Sequence, residues 1–278
     1  MTSGTVIIAA HNEEAVIGRT LEALRDALVN QCIRIVVVSN GCTDHTAEVA
    51  AQYEGVNVVD IRVASKTAAL REGDLHAASG PRIYLDADIV LTSRAAKDVV
   101  DALSRGAIAA RPPHAFDSSR ATWIVRSWYR VRAELPSIAT SLWGAGCYAL
   151  SEGGRARFEE FPELVSDDLF IDRLFLPGEV TIVATDPVIV TTPRKTADLL
   201  RILRRSYRTQ PEVAPNGGGL SVGQRGQLGD LKALLRRSPG RSGDVVVYVA
   251  IIAFGRLRAR FARSSDRWER DTSSRQLD

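Results

Sequence analysis

Up to about residue 105, the chain alternates short runs of β-branched residues with longer stretches of helical periodicity. Four short runs are typical of strands: residues 5–10, 33–39, 56–61 and 82–87. Between them, residues 13–29, 44–53 and 65–78 carry apolar side chains at the spacing of amphipathic helices. Such alternation predicts right-handed βαβ units and a parallel sheet, in which ligands bind beyond the carboxyl ends of the strands.

The rest of the chain is less regular. We predict a helix near 94–104, a strand near 107–111, a Trp-rich helix near 119–133, an acidic turn at "SDDLFIDRL", a strand pair near 179–191 and a basic helix near 195–209. Residues 211–224 break every periodicity and predict a flexible loop. We therefore expect a catalytic domain over residues 1–210 and a basic, amphipathic helical extension over residues 225–278.

Composition limits the class of protein. A hydrophobic content of 45% in 278 residues is ample for a packed core. The three cysteines are far apart and lack the CxxC spacing of zinc sites, which favours a reduced, cytoplasmic compartment. No basic segment followed by an apolar one precedes the first strand, so secretion is not expected. The longest apolar run, residues 245–254, is about half the ~20 residues of a membrane-spanning helix.

Polar residues follow three of the predicted strands, in "AAHNEE", "SNGCTDHT" and "DAD". Asx turns and helix caps are the structural alternative for the first two segments. The third segment is harder to explain in that way, because Asp86 and Asp88 repel each other unless a cation lies beside them. Hard carboxylate oxygens suit Mg²⁺ or Mn²⁺, and such an ion can neutralise a diphosphate leaving group.

Six segments in order, "AAHNEE", "VVVSNGCTDHT", "SKTAALREG", "IYLDADIVL", "WGAGCYALS" and "SDDLFIDRL", resemble the inverting family 2 glycosyltransferases. The resemblance covers roughly residues 4–210. It implies the GT-A fold, an α/β architecture with a mostly parallel, Rossmann-like central sheet flanked by helices. It also implies a nucleotide-diphosphate sugar as donor and Mg²⁺ or Mn²⁺ as cofactor.

Within that resemblance, Asn40 faces the base, Lys66 lies near it, Asp86 contacts the ribose and Asp88 is the principal metal ligand. The full set implied to bind the donor is Ala10, Asn12, Glu13, Asn40, Lys66, Asp86, Ala87, Arg205 and Arg208. The chain departs from the family pattern at Ser39-Asn40, where Asp-Asp is usual, and at Cys42, where Ser is usual. These departures leave the base preference open.

The acids Asp167 and Asp168 match the Glu-Asp motif of the family. The resemblance implies that Asp168 is the general base, since four residues separate it from "RL" as in the family pattern. Capping of the following helix is the structural alternative. The acceptor site is implied to include Trp143, Gly144, Ala145 and Asp167, with core packing as the alternative for Trp143. The segment "VTTPRK" has no histidine, which leaves the third protein ligand of the metal open.

Residues 194–278 hold 18 Lys and Arg against 8 Asp and Glu, so the basic charge belongs to the tail. Its apolar and arginine-rich last helix suits an anionic membrane surface, while packing on the body and a homodimer stay open. Nucleic acid is not expected as a partner, because base-stacking aromatics are not interleaved with the basic residues.

The sequence thus predicts an inverting, metal-dependent glycosyltransferase of polysaccharide biosynthesis, cytoplasmic or peripheral at the inner face of the cell membrane. Its acceptor would be a hydroxyl of a glycan, a lipid-linked molecule or a small molecule. The alternatives are a catalytically silent GT-A-like protein that binds sugar nucleotides or serves as a membrane scaffold, and a nucleotidyltransferase. The latter lacks support, since "AAHNEEAVIG" is not a glycine-rich, basic loop.

Overall fold

The computed structural model describes residues 4–164, 166–176, 178–209 and 226–261. The chain forms two compact units, Met1–His114 with Leu142–Ile189, and Ala115–Ser141 with Val190–Asp278. These units do not coincide with the predicted ranges 1–210 and 225–278, because a segment from the middle of the chain joins the C-terminal part. The predicted loop 211–224 lies outside the described residues.

The first half of unit 1 alternates strands and helices. Its elements are β1 (Gly4–Ala10), α1 (Ile17–Val29), β2 (Ile33–Asn40), α2 (Thr46–Ala51), β3 (Val56–Ile61), α3 (Lys66–His76), β4 (Arg82–Asp86) and α4 (Ser93–Ser104). Strand β1 pairs in parallel with both β2 and β4, and β2 pairs in parallel with β3. The predicted βαβ units and parallel sheet are therefore confirmed.

The remaining elements of unit 1 are β5 (Ala109–Arg111), β7 (Cys147–Leu150), α7 (Glu152–Arg155), α8 (Asp167–Arg173) and β8 (Val180–Ile182). The seven-stranded sheet has the order β3-β2-β1-β4-β7-β5-β8. Strand β7 runs antiparallel to β4 and β5, while β8 is parallel to β5. The predicted acidic turn at "SDDLFIDRL" is in fact helix α8.

The two strands predicted near 179–191 are present, but they do not pair with each other. Strand β8 joins the main sheet, whereas β9 (Val188–Thr191) pairs with β6 (His114–Asp117) in a separate two-stranded sheet. The Val183 N–H donates to the Arg111 carbonyl and the Val188 N–H to the Pro113 carbonyl, each 2.9 Å long. The partners of both strands therefore lie in one earlier segment, residues 109–117. Pro112-Pro113 separates β5, which pairs with β8, from β6, which pairs with β9.

The core of unit 1 centres on β1. Its residues Val6, Ile7 and Ile8 are fully buried, as expected of a parallel strand covered on both faces. Helix α3 lies close to this strand at Gly73, where an added Cβ would sit 2.3 Å from Cγ2 of Ile7. Glycine at that position therefore sets how closely α3, with Lys66 at its first turn, approaches the sheet.

Unit 2 contains the helices α5 (Trp123–Ala133), α6 (Pro136–Ala139), α9 (Thr196–Thr209), α10 (Gln227–Arg237) and α11 (Ser242–Phe261). Tyr248 of α11 stacks on Trp128 of α5, with the ring centroids 5.3 Å apart. Near its C-terminus, Gly255 of α11 lies against Tyr207 and Leu203 of α9. One face of α11 therefore packs within unit 2. Within the described residues, none of the helices has the length and apolar character needed to cross a membrane.

Candidate active site

The loops that follow β1 and β2 interlock through polar contacts. The Asn40 Nδ2 donates to the Ala10 carbonyl at 2.7 Å, and the Asn12 Oδ1 accepts from the Thr43 N–H at 2.7 Å. His11 Nδ1 contacts the Asn40 carbonyl. These bonds fix the carboxyl edge of the two strands and commit the amide nitrogen of Asn40 to the backbone. The side chain of Asn40 is thereby held in one orientation.

Asn12 and Glu13 are held in the same way. Asn12 has a positive φ of 53°, a conformation that asparagine tolerates better than most residues. Its N–H donates to the Cys42 Sγ at 3.2 Å, and the Glu13 N–H donates to the Thr46 Oγ1 at 2.8 Å. Cys42, which departs from the family pattern, therefore acts as an acceptor within the loop.

The turn that carries the paired acids is fastened through its backbone. The Asp86 N–H donates to the Gly146 carbonyl at 2.8 Å, and the Thr20 hydroxyl donates to the Ala87 carbonyl at 2.7 Å. The Arg19 guanidinium donates to the Asp88 carbonyl at 3.1 Å. Helix α1 thus holds the backbone of the turn through the carbonyl groups of Ala87 and Asp88.

Lys66 lies between two of the carboxylates. Its Nζ is 2.6 Å from Oδ1 of Asp86 and 2.8 Å from Oδ1 of Asp167. Burial alone would lower the pKa of Lys66, but Asp167 and Asp86 more than offset that effect, so its pKa is raised and the ammonium stays charged. The second oxygen of Asp167 accepts from the Tyr148 hydroxyl at 3.0 Å. Lys66 therefore neutralises negative charge that two distant segments, the end of β4 and α8, bring together.

Asp168 is the half-buried carboxylate next to this cluster. Burial and the negative charge of Asp167 raise its pKa to about 7, against the opposing effects of Lys66 and of a backbone hydrogen bond. That bond comes from the Gly144 N–H, 2.9 Å from Oδ2. A carboxylate whose pKa lies near neutrality can accept a proton and release it again, as a general base must.

Two glycines shape the segment opposite Asp168. Gly144 and Gly146 have positive φ values of 80° and 65°, which favour glycine. A Cβ at Gly146 would lie 2.5 Å from Cγ1 of Ile89 and 3.1 Å from Oδ2 of Asp86. Gly146 is a residue of the site that was not predicted, although the spacing "WGAG" is a signal for it.

Asp172 also supports the site and was not predicted. It lies one turn after Asp168 on α8, is fully buried, and accepts the Leu142 N–H at 2.7 Å. Asp168 and Asp172 thus hold alternate amides of the segment that contains Trp143. In the sequence, the only signal for this role is an aspartate at i+4 from the predicted base, on the same face of the helix.

We expect Asp172→Ala to destabilise the fold by about 1–3 kcal/mol, because it leaves the buried Leu142 N–H without its acceptor. Chemical denaturation followed by circular dichroism measures the change. Asp60→Ala, at an exposed position, is the matched control and should stay within about 0.5 kcal/mol of the parent chain. Equal stability of the two variants would contradict the supporting role of Asp172.

Most of the predicted site residues lie at the carboxyl edge of the sheet, but they differ in how far their side chains are exposed. The side chains of Ala10 and Ala145 are fully buried, so only their backbone can line a ligand in this conformation. Trp143 is half-buried. Arg205 and Arg208 lie on α9 in unit 2, and the side chain of Arg208 is outside the described residues. Their contact with the donor stays a prediction.

The acids fit a divalent ion only in part. Among the described residues, no three His, Cys, Asp or Glu side chains form a ready cluster for a metal. Mg²⁺, however, is commonly held by one or two carboxylates together with substrate phosphates and water. Because Asp86 already binds the Lys66 ammonium, the ion would depend mainly on Asp88. The donor set therefore fits an ion that binds together with a diphosphate.

A mostly parallel sheet with acids at the carboxyl end of β4 and on α8 places the chain in the class of GT-A-fold proteins. A mannosyltransferase from Pyrobaculum calidifontis, solved with GDP-Man and Mn²⁺, aligns with a TM-score of 0.59 at 17% identity, over 95% of this chain and 77% of its own. Glucosyl-3-phosphoglycerate synthase from Mycobacterium tuberculosis, solved with Mn²⁺, UDP and glucosyl-3-phosphoglycerate, aligns with a TM-score of 0.54 at 21% identity, over 77% of this chain and 80% of its own. The predicted fold class is confirmed.

The chain belongs to glycosyl transferase family 2, whose model matches residues 5–149. A curated relative, 4,4'-diaponeurosporenoate glycosyltransferase of Staphylococcus aureus, is 32% identical over 124 residues, which are 40% of this chain. The match covers 32% of that relative, so the chain spans about a third of its length. The family assignment made from the six segments is confirmed.

Proposed function

We propose that the chain is an inverting, metal-dependent glycosyltransferase that moves a sugar from a nucleotide diphosphate to an acceptor hydroxyl. One observation carries this proposal: Asp168, with a pKa of about 7, is held by the Gly144 N–H beside the Lys66, Asp86 and Asp167 cluster. A base poised near neutrality next to a charged cluster is an arrangement for removing a proton from a hydroxyl. A catalytically silent binding protein does not require such a base.

In this mechanism, Asp168 takes the proton from the acceptor hydroxyl as its oxygen attacks the anomeric carbon. The bond from that carbon to the diphosphate oxygen breaks on the opposite face, so the configuration inverts. The products are the glycosylated acceptor, the nucleoside diphosphate and protonated Asp168, which then returns its proton to water. Two backbone N–H groups orient the base: that of Gly144 donates to Oδ2 and that of Leu169 to Oδ1.

Lys66 and the acids around it set the electrostatics of this step. The ammonium of Lys66 lies against Asp86 and Asp167 next to the base and offsets part of the negative charge there. A bound Mg²⁺ or Mn²⁺, held by Asp88, would supply charge neutralisation for the leaving diphosphate. Asp86 and the interlocked loops after β1 and β2 would bind the nucleoside.

The comparisons support the class of donor. The mannosyltransferase structure contains GDP-Man and Mn²⁺, and the glucosyl-3-phosphoglycerate synthase structure contains UDP and Mn²⁺. For this chain we infer a nucleotide-diphosphate sugar and an acceptor hydroxyl on a glycan, a lipid-linked molecule or a small molecule. A location in the cytoplasm or at the inner face of the cell membrane agrees with such a donor and with a role in polysaccharide biosynthesis.

The metal assignment can be tested by thermal shift with UDP, GDP and their sugar conjugates, each with and without Mn²⁺. We expect one nucleotide to raise the melting temperature, and Mn²⁺ to enlarge that rise. Asp88→Ala should remove the Mn²⁺-dependent part and lower turnover by about 10²-fold or more, since the diphosphate charge is no longer neutralised.

Asp60→Ala is the control for a lost surface carboxylate and should behave as the parent chain does. A nucleotide shift that needs neither metal nor diphosphate would contradict the proposal. Tight nucleotide binding with no turnover of any sugar conjugate, including its hydrolysis, would instead favour the silent binding module.

A further inference from the structure

The outer face of α11 carries a stripe of apolar side chains. Its members recur at helical spacing and are Val246, Val249, Ala250, Ala253, Phe254 and Leu257. Val246 is 67% exposed and Leu257 is 52% exposed. The stripe extends over about 17 Å of helix, and no charged residue occurs between Asp244 and Arg256. Exposed apolar side chains scattered singly are ordinary, but a contiguous stripe marks an interaction surface.

The opposite face of α11 is the one that packs within unit 2. Val245 and Tyr248 are buried there, and the Asp244 carboxylate accepts from the Ser127 hydroxyl at 2.6 Å. Tyr248 stacks on Trp128 of α5. The stripe is therefore not needed to attach α11 to its neighbours α5 and α9, and its apolar character requires another explanation.

The charge around the stripe is positive. Residues 226–261 contain seven Lys or Arg against two Asp, a net charge of +5. Both acids bind neighbouring groups: Asp230 accepts the Ser137 N–H at 2.9 Å, and Asp244 accepts from Arg130 at 3.0 Å. Arg256 and Arg258 are exposed and, by helical geometry, lie on either side of the C-terminal end of the stripe.

We propose that the stripe docks on the surface of an anionic phospholipid bilayer, with α11 lying in the plane of the interface. An apolar helical face with flanking arginines is the combination that binds such surfaces, through apolar burial and attraction to anionic headgroups. A second copy of the chain fits less well, because it would bring equal positive charges together. Six side chains, two of them alanines, are also few against the roughly 20–30 residues a side of a stable interface.

The test is flotation of the full chain with vesicles of phosphatidylcholine alone or mixed with phosphatidylglycerol, without sugar nucleotide. We expect binding to the mixed vesicles, weakened by added salt. The triple variant Val246→Ser, Val249→Ser and Leu257→Ser should lose about tenfold or more in affinity. Arg256→Gln with Arg258→Gln should lose about fivefold for each arginine and reduce the difference between the two kinds of vesicle.

The matched control replaces exposed apolar residues of unit 1, by Val29→Ser, Leu75→Ser and Leu176→Ser, and should bind as the parent chain does. Equal binding to both kinds of vesicle, absence of binding, or full binding by the stripe variant would each overturn the proposal. A dimer that the stripe variant converts to a monomer would also overturn it. Because no substrate is present, none of these outcomes bears on the transferase proposal.

Discussion

Asp168→Asn is expected to lower turnover by about 10²–10⁴-fold while it makes the folded chain more stable at neutral pH. The amide keeps the shape of the carboxyl group and can still accept the Gly144 N–H, but it cannot take a proton from the acceptor. Loss of activity together with a gain in stability would separate a catalytic base from a residue that only maintains the fold.

The sign of the stability change follows from the raised pKa. The folded-state pKa of Asp168 is about 7, against an ordinary value of 3.8. Between these values the folded chain holds a proton that the unfolded chain has released, so stability falls as the pH rises from about 4 to about 7. Above about pH 7 the folded chain carries the full free-energy cost of ionising Asp168. Asparagine removes it, and the melting temperature should rise by roughly 2–4 °C per kcal/mol recovered.

Two measurements check this prediction, the pH dependence of kcat/KM and that of the melting temperature. In the parent chain, kcat/KM should increase as the pH rises through about 7, because only ionised Asp168 is a base. Asp101→Asn, on the surface of α4, is the control for a lost carboxylate and should change neither profile. If Asp168→Asn retained turnover, the base would have to be another residue.

The arrangement of β1 to β4 could be predicted because its signals are local. Each strand is a short apolar run, each intervening helix has its own periodicity, and parallel strands bring their carboxyl ends to one edge. The positions of Asp86 at the end of β4 and of Asp88 beyond it followed from that rule alone. Their roles required the family resemblance, since periodicity contains no information on what a carboxylate binds.

The parts that could not be predicted depend on contacts between distant segments. Lys66 is 20 residues from Asp86 in the chain and about a hundred from Asp167, and no local pattern indicates that one ammonium binds both. The pairing of β8 with β5 and of β9 with β6 has the same origin. Both short strands were recognisable, but two neighbouring strands predict a hairpin only when nothing else competes for their edges.

The division into two units was also beyond sequence reasoning. The Trp-rich segment Trp123–Ala133 looked like one more helix of the catalytic domain, yet it packs against α11, more than a hundred residues later. Its aromatic side chains could equally have packed in the core of unit 1 or of unit 2. Composition divides a chain along its length, whereas a domain that is interrupted and resumed has no compositional boundary.

Lys66→Met should have the largest effect on stability. It removes the cation between Asp86 and Asp167, and Asp167 is only 3% exposed, so its charge would be left buried with the Tyr148 hydroxyl in contact but without a cation beside it. Removing one partner of a buried ion pair typically costs about 3–5 kcal/mol. We expect about 3 kcal/mol here, because Asp86 is 38% exposed and water can solvate part of its charge. Chemical denaturation measures the loss.

The same variant has a second expected effect that a purely structural role would not produce. Lys66 lowers the pKa of Asp168, so its removal should raise that pKa further and move the rise of kcat/KM to higher pH. Lys97→Met breaks an exposed pair with Asp101 on α4 and should change the stability little, with no change in the pH profile. If Lys66→Met lowers the stability but leaves the pH profile unchanged, Lys66 stabilises the fold without changing the pKa of the base. If the stability is unchanged, the two acids do not need the charge of Lys66.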